Sequence, residues 1–173
     1  MASNSRLYSK GVISKRVTIP FDKITNDIKK LLLKKIVKTY EDKCILEGYI
    51  KNNSCQILQH TSGTIDGNNV KFNIMFECEI CFPVEGMYVD CIVKNVTKAG
   101  IRAEIDEEKS PLIIFLARDH HNNNQTFTKL TEGDIINVKI IGQRFELNDN
   151  YISVIAEIEE RSAITKPRLT IED

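Results

Sequence analysis

GMYVDCIVKNVTKAGIRAEI, residues 86–105, alternates apolar and polar side chains on either side of a short turn. Val89, Cys91 and Val93 are interleaved with Asp90, Ile92 and Lys94; after Lys98-Ala99-Gly100 the inward set resumes at Ile101, Ala103 and Ile105. A period of two sends successive side chains to opposite faces, so the stretch predicts a twisted antiparallel hairpin with one face to bury. Three more apolar runs follow at 112–116, 135–141 and 152–158, the second of them entered through Glu132-Gly133-Asp134. Five short strands with turn residues at these places predict a small barrel over residues 84–160.

That pattern is similar to an OB-type barrel of the S1 kind, which often holds oligonucleotides but does not establish that use by itself. Upstream, residues 14–19 (SKRVTI) predict a strand stopped by Pro20, with the first ten residues polar and mobile. Asp22 is placed to cap a helix whose apolar stripe is Ile24, Ile28, Leu31, Leu32 and Ile36, with Lys23, Lys29, Lys30, Lys34, Lys35 and Lys38 on other positions. Those lysines fit a solvated face; they also fit docking on an acidic partner or on phosphates. Residues 43–50 and 55–59 predict two further strands, and 63–69 a turn-rich loop. Val70, Phe72, Ile74, Phe76, Cys78 and Ile80 then alternate with polar partners in a long strand ended by Phe82-Pro83-Val84. The expected architecture is α+β. An N-terminal domain (1–83), a twisted antiparallel sheet with one main helix, joins rigidly to the barrel (84–160), and a polar tail (161–173) follows.

With 173 residues, 42% hydrophobic and 28% charged, the composition is that of a globular protein. No apolar run approaches the ~20 residues that cross a bilayer, and MASNSRLYSK is no signal peptide, so no membrane is expected as a partner. Five cysteines, an odd number, predict buried thiols in a reducing compartment, nucleus or cytoplasm. Charge is zero overall but lopsided: residues 1–83 hold 13 Lys/Arg against 8 Asp/Glu, and residues 84–160 hold 8 against 14. An acidic barrel argues against tight, salt-driven nucleic-acid binding.

The order strand, basic helix, three strands, barrel resembles the RNA polymerase stalk subunit family: the seventh subunit of eukaryotic polymerase II, its paralogues in the other nuclear polymerases, and their archaeal counterpart. The resemblance is carried by Asp42-Lys43-Cys44 after the helix, by Gly63 and Gly67 ahead of Val70-Lys71-Phe72-Asn73-Ile74, and by the run from Cys81-Phe82-Pro83-Val84 to Asp90. Lys94-Asn95-Val96-Thr97-Lys98-Ala99-Gly100 follows at the family's spacing, while Gly48-Tyr49 reverses the family's Tyr-Gly pair. The match spans about residues 11–160 and leaves a cellular or viral source open. It implies a non-catalytic subunit whose N-terminal "tip" domain docks on the polymerase core and whose S1 barrel stands near emerging RNA. The implied partners are the core subunits, a small helical stalk subunit and, weakly, nascent RNA. A virus-encoded member would extend the expected location to the virion.

Under this resemblance Gly63, Thr64, Ile65, Asp66 and Gly67 form the core-docking loop, with Ile65 as apolar anchor; an ordinary hairpin turn is the plainer alternative. Lys94, Lys98 and Arg102 around the first barrel hairpin, Arg118, His120 and His121 after the third strand, and Arg144 and Phe145 before the fifth are the RNA-binding candidates. Cations would meet phosphates and the aromatic ring a base; solvated surface charge is the alternative. Ile101, Ala103 and Ile114 stand where strong RNA binders often carry aromatics or histidine. Cys78-x-x-Cys81 with His120-His121 raises zinc, but residues three apart on a strand face opposite ways, so neither metal nor other cofactor is expected. No nucleophile–base pair or phosphate loop is visible, which disfavours an enzyme. A free-standing S1/OB factor in translation or RNA decay is the alternative, and it calls for a more basic barrel than this one.

Overall fold

Two thirteen-residue alternating segments dictate the first half of the fold. The computed structural model describes residues 7–159. Its first part runs β1 (Tyr8–Pro20), α1 (Ile28–Tyr40), β2 (Cys44–Ile45), β3 (Gly48–Ile50), β4 (Gln56–His60), β5 (Thr64–Asp66) and β6 (Asn69–Cys81). β6 is the spine: one edge pairs with all of β1, from Tyr8↔Cys81 to Pro20↔Asn69. Its other edge receives β3, β4 and β5 in turn, and β2 hangs on β3. Phe72, Ile74, Phe76 and Cys78 face inward, as the alternation requires, and Leu32 and Ile36 of α1 are fully buried against them. Tyr40 stacks on Phe76 with ring centroids 5.8 Å apart.

Several sequence expectations need correction here. Leu7 is buried and β1 begins at Tyr8, so the first ten residues are not all a mobile arm; residues 1–6 and the tail from 160 lie outside the described residues. Asp27, not Asp22, caps α1, accepting the Lys30 amide at 3.1 Å. Pro20 ends the strand into a 3₁₀ turn over Phe21–Lys23 that contains Asp22, and Ile24 leaves that turn extended, so helical hydrogen bonding starts one turn later than the stripe suggests. Residues 43–50 are two short strands, because the chain reverses at Leu46 and Glu47 and β2 pairs with β3.

The second part is β7 (Tyr88–Val96), β8 (Gly100–Glu104), β9 (Leu112–Ala117), a 3₁₀ turn (Arg118–His121), α2 (Gln125–Thr128), β10 (Ile135–Arg144) and β11 (Ile152–Glu157). The strands close into a barrel in the order β7-β8-β9-β11-β10, with β10 returning to β7 and β9 parallel to β11. Register shifts at Val93/Asn95 and Ile140/Gly142 let the strands coil tightly enough to close. The molecule is an α+β fold with a C-terminal OB-type barrel. Ile101, Ala103 and Ile114 point into the barrel core, which is why apolar residues occupy those positions.

The sheet and the barrel share a core. Leu7, Cys44, Tyr49 and Cys81 pack in the same cluster as Val89, Cys91 and the barrel interior. Backbone bonds cross the seam, the Cys44 amide donating to Asp149 O at 2.8 Å and the Asn148 amide to Cys44 O at 2.9 Å. Tyr8 donates its hydroxyl to Glu107 at 2.7 Å, and Lys109 pairs with Asp42 at 2.6 Å. All five cysteines are buried and unpaired.

Candidate docking tip and nucleic-acid face

Far from the seam, β5 and β6 meet in a hairpin closed at Asp66↔Asn69. Gly67 takes φ 60° in its turn, a left-handed backbone that costs glycine little. Asp66 is engaged within the hairpin, where Lys71 hydrogen-bonds and pairs with it and holds its carboxyl below the usual range. Ile65 is 69% exposed, and Phe21, whose amide donates to Asn68 O at 2.9 Å, is 61% exposed. Two large apolar side chains therefore stand exposed at one end of the sheet. Phe21 was hidden in the sequence, where only its position after Pro20 distinguished it.

On the barrel, Val96, Thr97, Lys98 and Arg118 line an open recess. Arg118 is fixed there: Nε donates to Lys98 O at 2.9 Å, a terminal nitrogen donates to Thr97 O at 2.8 Å, and the guanidinium lies 5.3 Å over the Phe127 ring. Two of five N–H groups are used by these bonds, so the remainder can still serve an anion. Gly100 admits the strand crossing beside them, since a Cβ there would fall 2.3 Å from Leu116 O. Lys94, Lys98 and His120 are exposed around this end. Arg102 lies on the outer wall, 3.2 Å from Glu104 and in register with Phe115.

Eight candidate RNA residues thus fall into three groups. Lys94, Lys98, Arg102, Arg118 and His120 share the end and adjoining wall of the barrel. His121 is buried, its Nδ1 2.7 Å from Ala117 O and its Nε2 accepting the Ile158 amide at 3.0 Å, so it cannot face a ligand. Arg144 and Phe145 sit at the seam instead, Phe145 edge-on to Phe82 at 6.2 Å and Arg144 beside Glu146. Phe115, 39% exposed next to Arg102, is the aromatic that the candidate set omitted. Its parity was visible, because Leu112, Ile114 and Leu116 point inward. Cys78 and Cys81 belong to different cores, and the described residues hold no group of three or more metal-ligating side chains. No helix among them is long and apolar enough to cross a membrane.

The chain resembles a viral protein. It is 26% identical over 178 residues to one from Acanthamoeba polyphaga mimivirus, covering 91% of this chain and 84% of the relative. That relative is named a putative DNA-directed RNA polymerase subunit. No family model matches the chain.

Proposed function

We propose that this protein is a non-catalytic, stalk-type subunit of a DNA-dependent RNA polymerase. The tip hairpin of Gly63, Thr64, Ile65, Asp66 and Gly67, extended by Phe21, docks on the core subunits. The barrel, of the S1 kind on this reading, is carried beside emerging RNA, which Lys94, Lys98, Arg102, Arg118 and Phe115 contact weakly. A small helical subunit completes the stalk. Residues 1–83 and 84–160 act as tip and barrel domains joined by the shared core.

The observation that carries the reading is the pair of water-exposed apolar anchors, Phe21 and Ile65, at the end of the sheet remote from the barrel. The named likeness to a polymerase subunit over most of both chains supports it. An acidic barrel with a small cationic end fits a subunit that other proteins hold near RNA better than a factor that must find RNA unaided.

The test is affinity purification of tagged protein from its native source, wild type against F21D/I65D, with partners identified by mass spectrometry. Wild type is expected to bring down large polymerase subunits and the double variant to lose them at least tenfold while keeping its circular dichroism. Equal recovery of those subunits by both forms would reject the tip assignment. Recovery of ribosomal or decay factors in their place would favour the free-standing RNA-binding factor.

A further inference from the structure

We infer that the outer face of α1 binds the phosphate backbone of duplex DNA. The helix IKKLLLKKIVKTY carries Lys29, Lys30, Lys34, Lys35 and Lys38 and no acidic residue. All five are exposed, and none is ion-paired with a carboxylate among the described residues. Lys30, Lys34 and Lys38 recur every four residues, so they form one ridge opposite Leu32 and Ile36, with a cation about every 6 Å along the axis. That is close to the separation of successive phosphates on a nucleic-acid strand.

The arrangement is unfavourable for the helix alone. Like charges at i and i+4 repel, and Lys29 and Lys30 occupy the first turn, where the helix dipole disfavours cations. An external polyanion relieves both. Among polyanions, the side chains favour a backbone over a protein surface, because lysine is depleted in protein interfaces and the face offers only Val37, 38% exposed, as an apolar contact. Lysines act as point charges, which suits contact with a phosphate backbone that is not read for sequence. No aromatic residue lies on the ridge to stack an unpaired base, which favours a duplex over a single strand. DNA as the duplex rests on the polymerase reading; the cationic ridge does not.

The experiment titrates full-length protein with a fluorescent 20-bp duplex across a salt series, comparing wild type with K30Q/K34Q/K38Q and K30R/K34R/K38R. Glutamine keeps the helix, which circular dichroism checks. Neutralising three phosphate contacts should reduce the slope of log K against log salt by about 2.7, and the arginine variant should retain it. An unchanged slope in K30Q/K34Q/K38Q, or a loss seen on single-stranded RNA and absent on the duplex, overturns the inference. So does displacement by polyglutamate as effective per charge as by DNA, which would assign the face to an acidic protein segment. Normal recovery of polymerase subunits with K30Q/K34Q/K38Q separates the failure of this inference from failure of the proposed function.

Discussion

His120 and His121 are neighbours with opposite fates. The Ile158 N–H can only donate, so Nε2 of His121 must accept and Nδ1 carries the proton given to Ala117 O. The ring also stacks on Phe127, centroids 4.5 Å apart, while Asn124 donates to Ile158 O at 3.2 Å. These contacts tie the segment after β9 to the chain just beyond β11. His121→Ala would leave the buried Ile158 amide without its acceptor and the part-buried Ala117 carbonyl without this donor, and is expected to cost about 2–4 kcal/mol in urea unfolding. His120→Ala, at an exposed site, should fall within about 0.5 kcal/mol of wild type. Strand parity could not separate the pair in sequence, because both lie in a 3₁₀ turn where alternation no longer applies. Phe115 lies on a strand, and parity alone places it outward.

Elements with strong periodicity were legible and their ends were not. The alternation in β6 and β7 and the two-sided pattern of α1 match the faces they bury, since burial is what periodicity encodes. Caps depend on the path of the preceding chain, and Asp22 and Asp27 are equally good cap residues by type. The turn after Pro20 decides between them. Asp27→Ala is therefore expected to destabilise the protein by about 1 kcal/mol and Asp22→Ala to change little, as read by thermal or urea unfolding. An equal loss in both variants would contradict the observed helix start. The sequence places a turn with an apolar residue here, but 64–66 form strand β5 and only 67–68 turn, and Phe21 was not legible, because it reaches this hairpin through the Asn68 hydrogen bond, across the sheet and not along the chain.

At the scale of the molecule, the seam makes sheet and barrel one body, and its thiols give that body a pH limit. Cys81 and Cys91 are pushed up to about 12, mainly by burial, with Glu107 adding to the first and Asp90 to the second. Cys44 in the same cluster is pushed up to about 12 by burial and Asp149. A thiol whose folded pKa lies above its ordinary value of 9.0 keeps its proton in the native state and loses it in the unfolded chain. Between pH 9 and 12 the native state therefore binds more protons, and stability falls as pH rises; below pH 9 the contribution is constant. Two such thiols predict a loss of roughly 3 kcal/mol between pH 8 and pH 10, with Cys44 acting in the same direction. Tyr8 and Tyr49, raised chiefly by burial with Glu107 and Asp42 beside them, steepen the fall above pH 10. Urea unfolding at both pH values in a reductant measures this, and C81A/C91A should flatten most of the difference. Because both cysteines sit in the core that sheet and barrel share, the loss should appear in a single transition monitored from either half. A barrel that unfolds separately, with only its own transition moving, would show that the seam does not couple the two halves and would leave the tip without a rigid mount for the barrel.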